Sequence, residues 1–206
     1  VLKMSLALAA LEGAQVSPDE TVYCPGFVEI GGRRFHCWKR GGHGRINLRG
    51  ALRESCDVFF YEIARRVGID NLHAMSARLG LGQRPDLPLS GIASGLNPSR
   101  DWKMERYGTD WLIGDTINAS IGQGFVLATP MQLAIMSARI ASGKKVIPRL
   151  FQPQIADDQQ DFEDMGLSAG SLALVHAGMT DVVNAERGTA RSSRIVAEGQ
   201  TMAGKT

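Results

Sequence analysis

No run of apolar residues in this chain approaches the roughly 18 needed to span a bilayer, and the greasiest stretch, Val1 to Leu11, is interrupted by Lys3. Its hydrophobic side chains must therefore be buried against one another, and any membrane anchor is expected outside these residues. With 206 residues, 44% hydrophobic and 21% charged, the chain can enclose one sizeable core but hardly two. This composition excludes disorder, collagen and coiled coil. The 23 Lys and Arg against 21 Asp and Glu give no electrostatic case for nucleic acid as a partner. The chain opens without Met inside a helical pattern and stops at Lys205-Thr206 with no end signal, so it reads as one partial domain, 1–206, of a longer protein.

The pattern alternates short helices with little strand. Residues 1–12, rich in Ala and Leu and closed by Gly13, read as a buried helix. Val22 to Trp38 reads as a hairpin turning at Gly31-Gly32. Helices are predicted over 48–53 and 58–67, the second ended by Gly68, with Asp70 capping a further one to Leu79. Gly80 to Gly124, dense in Gly, Pro and Ser, reads as an ordered loop region anchored by Trp102, Tyr107 and Trp111. Thr129-Pro130-Met131-Gln132 is a strong helix start, with the helix running to about Ser142. Lys145–Leu150 is expected as a short strand, 156–164 as an acidic connector, and Ser168 to about Asn184 as a helix.

Three polar sites adjoin apolar helical segments: Lys3, Ser55-Cys56-Asp57 and Lys205-Thr206. Alone, each has a plain reading. A lysine in an apolar helix usually reaches for the surface, and Ser-x-Asp between helices usually caps one. In this order and spacing, however, they resemble the motifs of the penicillin-binding, active-site-serine transpeptidases: Ser-x-x-Lys, Ser-x-Asn or Ser-x-Asp, and Lys-Thr-Gly. The resemblance extends through Trp38-Lys39-x-x-Gly42-His43-Gly44, Ser55-Cys56-Asp57-x-Phe59-Phe60-Tyr61, Gly114-Asp115-Thr116, Gly122-Gln123-Gly124 and Thr129-Pro130-Met131-Gln132, all like the elongation-specific class B branch. It covers nearly the whole chain.

The resemblance implies an α+β fold, the β-lactamase-like transpeptidase fold, of which this chain is mostly the α-rich lobe with a small hairpin and little of the central sheet. It places the nucleophilic serine just before Val1 and the third-motif glycine just after Thr206, so that residues 1–206 alone are expected to be inactive. Lys3 would be the base that activates the serine. Ser55 would relay a proton to the leaving amine, with Asp57 fixing its geometry. Lys205 and Thr206 would hold the terminal carboxylate of a D-Ala–D-Ala stem peptide. The parent would be a periplasmic, inner-membrane-anchored D,D-transpeptidase. Its partners would be peptidoglycan stem peptides, β-lactams and, through regions outside this chain, a membrane glycosyltransferase of the elongation complex. Two other classes stand beside this reading: a penicillin-recognising sensor that does not cross-link, and a metal-stabilised structural module. Gly122-Gln123-Gly124 reads as a tight turn on the wall of the site, and His36, His73 and His176 as surface or structural residues.

Cys24, Cys37 and Cys56 are odd in number, and with His43 they form a candidate structural zinc site. Twelve, five and twelve residues separate the four in turn, wider than a compact finger. A Gly31-Gly32 turn pairs positions whose numbers sum to 63, so Cys37 faces Gly26 and Cys24 is its diagonal neighbour. Diagonal Cα atoms lie about 7–8 Å apart, at the edge of disulfide reach, and a metal relaxes that constraint. In the resembling enzymes metal ligands occupy the matching positions. The rival is a Cys24–Cys37 disulfide with Cys56 free.

Overall fold

The computed structural model of the chain describes residues 2–151 and 162–206. Helix α1 (Leu2–Glu12) is buried on every face from Leu2 to Ala10, as a helix apolar all round must be, and it forms the centre of the core. Against it packs α3 (Asp57–Arg78), entered from the short α2 (Leu48–Arg53). Phe59, Phe60, Ile63 and Leu72 of α3 meet Leu6 and Leu8 of α1 in this fully enclosed region. Gly68 (φ 73°) breaks the helical path inside α3, so the expected stop is a kink and the helix resumes at once. Asp70 therefore sits within the helix rather than capping it, and its carboxylate receives Arg100 Nε at 3.0 Å.

Strands β1 (Thr21–Cys24), β2 (Phe27–Ile30), β3 (Arg33–His36) and β4 (Gly44–Asn47) form two antiparallel pairs, β2 with β3 and β1 with β4. The β2–β3 turn is at Gly31-Gly32, with Ile30 opposite Arg33 and Phe27 opposite His36, as the sum rule requires. The expected single hairpin from Val22 to Trp38 is not continuous. At Pro25-Gly26 the chain leaves the ladder, because Pro25 has no N–H to donate and Gly26 turns at φ 102°, and Cys24 pairs instead with Gly44.

The region 80–124 is more regular than its composition suggests. It contains α4 (Arg100–Tyr107), capped by Ser99 and closed by Gly108, and α5 (Ile113–Ser120), whose entry is fixed by Asp115 accepting the Leu112 N–H at 2.8 Å. Each is only eight residues long, too short to show an apolar stripe among so many Gly and Pro. Trp102, Tyr107 and Trp111 do anchor it, through a cluster completed by Phe125. The start of α6 (Pro130–Ser142) is the capping box read from the sequence. Its Gln132, fully buried, also donates to the Gln83 and Ser94 carbonyls at 2.8 and 2.7 Å, so the box pins the loop before α4 to α6.

Among the described residues, 145–150 form no strand. The one contact of this kind is a bridge between Lys144 and Asp164, and β-type residues such as Val146 and Ile147 make a strand only where a ladder partner exists. Most of the expected acidic connector, 156–161, lies outside the described residues. Helix α7 (Ala169–Asn184), capped by Ser168, lays Gly178 directly on Leu52 of α2, where a Cβ would come within 2.7 Å.

Candidate active site and metal centre

The approach of α1 to the α2–α3 junction builds the site. Lys3, the one charged residue in the buried part of α1, does not reach the surface; it is 4% exposed. Its Nζ donates to the Ser55 carbonyl at 2.9 Å, Ser55 Oγ at 3.0 Å and Asp57 Oδ1 at 2.7 Å, so three ammonium protons meet three acceptors. Ser55 stands at φ 53°, a left-handed conformation that costs a residue with a side chain about 1–2 kcal/mol. The junction enforces it. Cys56 N–H returns to the Ala51 carbonyl, and Cys56, not Ser55, caps α3, its Sγ accepting from Phe59 N–H. Ser55 Oγ is thereby freed to point outward.

Lys205 Nζ donates to the same Oγ at 2.8 Å, and Ser55 Oγ donates weakly to the Thr206 carbonyl at 3.5 Å. Burial, followed by the neighbouring Lys3 charge, brings Lys205 down to about 7, opposed in part by Asp57. Thr206 Oγ1 is 2.7 Å from Thr189 Oγ1, and the Thr189 N–H donates to the Arg53 carbonyl. Lys3, Lys205 and Thr206 thus meet at the Ser55 hydroxyl, and Asp57 joins them through Lys3.

Two contributors were given no role from the sequence, although Trp38 opens one of the quoted motifs. Trp38 holds both flanks of Ser55: its backbone N–H donates to Asp57 Oδ2 and its indole N–H to the Glu54 carbonyl, each at 2.9 Å. Thr189 ties the third motif to the second-motif loop. Neither has a local signature, since each acts through a contact distant in sequence. These groups line a cleft of about 750 Å³ whose other walls include Tyr61, Ile121 and Gln123. Gly122 and Gly124, both left-handed, form the expected tight turn beside it. His73 and His176 each meet a backbone carbonyl, of Pro98 and Ile140, as structural histidines do.

Behind the cleft, Cys24, Cys37, His43 and Cys56 bring their four ligand atoms within 4.8 Å of one another. The three cysteines are buried free thiols. Cys24 arrives from the β1–β4 pair rather than from the diagonal position of a single hairpin, yet its sulfur reaches the same point. His43 Nδ1 is 3.6 Å from Cys24 Sγ and 3.5 Å from Cys37 Sγ. Tetrahedral bonds of about 2.3 Å to sulfur and 2.0–2.1 Å to nitrogen separate such ligands by about 3.6 Å, so the donor set and its spacing fit zinc. Cys37 is held down to about 5 by its hydrogen bond with Cys56, the thiolate character a metal requires; the same bond and burial push Cys56 up, and burial raises Cys24. His43 Nε2 is buried without a protein partner among the described residues. The cluster adjoins the catalytic candidates directly, because Cys37 Sγ accepts the Asp57 N–H at 3.3 Å.

A lysine from a buried helix, a Ser-x-Asp junction and a Lys-Thr pair converging in this fold define the class: the chain belongs to the penicillin-binding transpeptidase family, whose sequence model, "Penicillin binding protein transpeptidase domain", matches residues 1–206. The peptidoglycan D,D-transpeptidase MrdA of Escherichia coli (strain K12) is 34% identical over 199 residues, covering 92% of this chain and 31% of that protein. The crystal structure of Pseudomonas aeruginosa PBP2 in complex with WCK 5153 superposes with a TM-score of 0.84 at 37% identity, over 93% of this chain and 45% of the other. PBP2 of Helicobacter pylori in its complex with MreC gives 0.85 at 34% identity, over 96% and 37%. The chain spans about a third of the length of the MrdA protein it matches. The fold is the penicillin-binding transpeptidase fold, represented by its α-rich part.

The two lysines on Ser55 make a measurable mark. With its pKa lowered to about 7, Lys205 should be an ammonium at pH 6 and largely neutral at pH 8. Lysine side-chain NMR should place its midpoint near 7, rising in Lys3→Met, which removes the like charge. A midpoint above 10 would contradict the arrangement.

Proposed function

We propose that these residues are the greater part of the catalytic domain of a peptidoglycan D,D-transpeptidase that cross-links stem peptides during cell elongation and is acylated by β-lactams. The observation that carries this reading is the Ser55 hydroxyl held between Lys3 and Lys205 at 3.0 and 2.8 Å. The nucleophile is a serine at the position just before Val1, three residues ahead of Lys3 and so one helical turn away on the same face. Lys3, one turn away, takes the proton of that serine as the serine attacks the carbonyl of the penultimate D-Ala. Ser55, fed by Lys205, passes a proton to the leaving D-Ala amine. Cationic Lys205 and Thr206 receive the terminal carboxylate. The acyl-enzyme then transfers to an acceptor amine. The domain is periplasmic and tethered to the inner membrane outside residues 1–206, where a glycosyltransferase and an MreC-like partner engage the protein.

In the full-length protein, Ser55→Ala should slow acylation by labelled penicillin by about 10²–10⁴-fold, and residues 1–206 alone should form no adduct. Wild-type acylation by Ser55→Ala, or a stoichiometric adduct on 1–206, would overturn the assignment.

Cys24, Cys37, His43 and Cys56 hold one structural zinc in this reading. The ion supplies a rigid crosslink and no chemistry: it joins β1, the end of β3 and the junction carrying Ser55 and Asp57, fixing catalytic geometry without touching substrate. Protein purified without added zinc should contain about one zinc per chain and, once denatured with chelator, three free thiols. No metal and a single free thiol would establish the disulfide instead.

A further inference from the structure

Glu54, the residue before Ser55, carries a buried carboxylate that the transpeptidase chemistry leaves unused. Its side chain is 6% exposed, and its two oxygens are divided between two arginines, Oε1 taking Arg53 Nη2 and Oε2 taking Arg187 Nη2, each at 2.6 Å. A carboxylate so enclosed is tolerated only when its charge is met. One of these partners is local and the other is not. Arg53 is the chain neighbour of Glu54, whereas Arg187 lies just beyond α7, two residues before Thr189. Thr189 and Thr206 line the 750 Å³ cleft; Glu54 and Arg187 stand outside it.

The segment 185–190 is fastened on two sides. Toward α7, Gly188 N–H donates to the Ala185 carbonyl at 3.0 Å and Ala190 N–H to the Val182 carbonyl at 2.9 Å, and a Cβ on Gly188 would come within 2.4 Å of the Asp181 and Val182 carbonyls. Toward Ser55, Thr189 makes only long contacts with the Arg53 carbonyl, 3.3 Å from its N–H and 3.4 Å from its Oγ1. Hydrogen bonds of that length are weak, and a charge-assisted one at 2.6 Å is strong, so the Arg187–Glu54 pair dominates this join. Two residues of chain span at most about 7 Å, and where Arg187 is pinned Thr189 must follow. The consequence is felt at a hydroxyl. Thr206 Oγ1 lies 2.7 Å from Thr189 Oγ1, and each oxygen has one proton to give. When an anion rests on Thr206, Thr189 donates to Thr206 and the Thr206 proton is released for the anion, each bond strengthening the next.

We infer, resting on the transpeptidase reading above, that Glu54 and Arg187 are positioning residues: by holding Thr189 against Thr206 they set how tightly the third motif binds the terminal carboxylate of the substrate. Proton transfer at Ser55 does not pass through them. Their removal therefore weakens binding and leaves the chemical step in place. The Arg187 side chain is 57% exposed, so its replacement is compatible with the fold.

The test resolves acylation of the full-length protein by labelled penicillin, whose carboxylate stands in for that of the peptide, into a half-saturating concentration and a limiting rate. Thr189→Val should raise the half-saturating concentration about tenfold, the range for one hydrogen bond in a charged network, and Arg187→Gln about threefold to tenfold, with a limiting rate within about twofold of wild type. Arg187→Lys, which keeps the charge, should recover most of the loss. Because Arg187 acts through Thr189, adding Arg187→Gln to Thr189→Val should change the half-saturating concentration by less than about twofold. An unchanged half-saturating concentration in Arg187→Gln, a loss confined to the limiting rate, or effects of the two substitutions that multiply in the double variant would overturn the inference. Failure of the transpeptidase reading shows differently, as a wild-type protein that forms no penicillin adduct at all.

Discussion

The Lys3 ammonium, enclosed between Ser55 and Asp57, is the contact on which the rest of the site depends. A lysine in the interior of an apolar helix is destabilising unless its charge is met, and an unpaired buried carboxylate is no better. Each is therefore acceptable only where the other stands. This forces α1 and the α2–α3 junction into one register, and the apolar packing of Leu6 and Leu8 against Phe59 and Phe60 secures that register by area rather than by direction. The ion pair brings specificity, and the core brings the free energy.

A second layer keeps the junction from relaxing. Ser55 would leave its left-handed conformation if released, and the restraints on it come from three sides: Lys3 on its carbonyl, Trp38 on the carbonyl before it, and Cys56 folded into the cap of α3. Cys56 and Cys37 belong at the same time to the four-ligand cluster, and Cys37 touches the Asp57 N–H. Catalytic candidates and metal candidates thus share a backbone. A change in either would be felt by the other through one or two bonds.

Much of this was legible in the sequence because it is local. The Gly31-Gly32 turn sets the β2–β3 register, and Thr129-Pro130-x-Gln132 supplies every element of a capping box within four residues. What was not legible depends on partners remote in the chain. Pro25-Gly26 ends one pairing, but nothing nearby says that Cys24 will then pair with Gly44. Helices α4 and α5 are too short for periodicity to show, and their stability comes from the Trp102–Phe125 cluster and from Lys103, whose Nζ reaches Asp115 at 2.6 Å. Among the described residues, Val146 and Ile147 have strand-forming side chains without a strand beside them. The roles of Trp38 and Thr189 are invisible for the same reason. The convergence of Lys3, Ser55 and Lys205 was readable only through the motif order, since 52 and 150 residues separate the partners.

The central claim is that the buried Lys3–Asp57 pair organises the site, and a double-mutant cycle on the stability of the intact transpeptidase domain tests it most directly. Lys3→Met alone leaves Asp57 buried without its cation and should cost about 3–5 kcal/mol. Adding Asp57→Asn to it should recover about 2 kcal/mol or more, giving strong coupling between the two positions. Additive effects, agreeing within about 0.5 kcal/mol, would show that the two side chains do not depend on each other and would contradict the account.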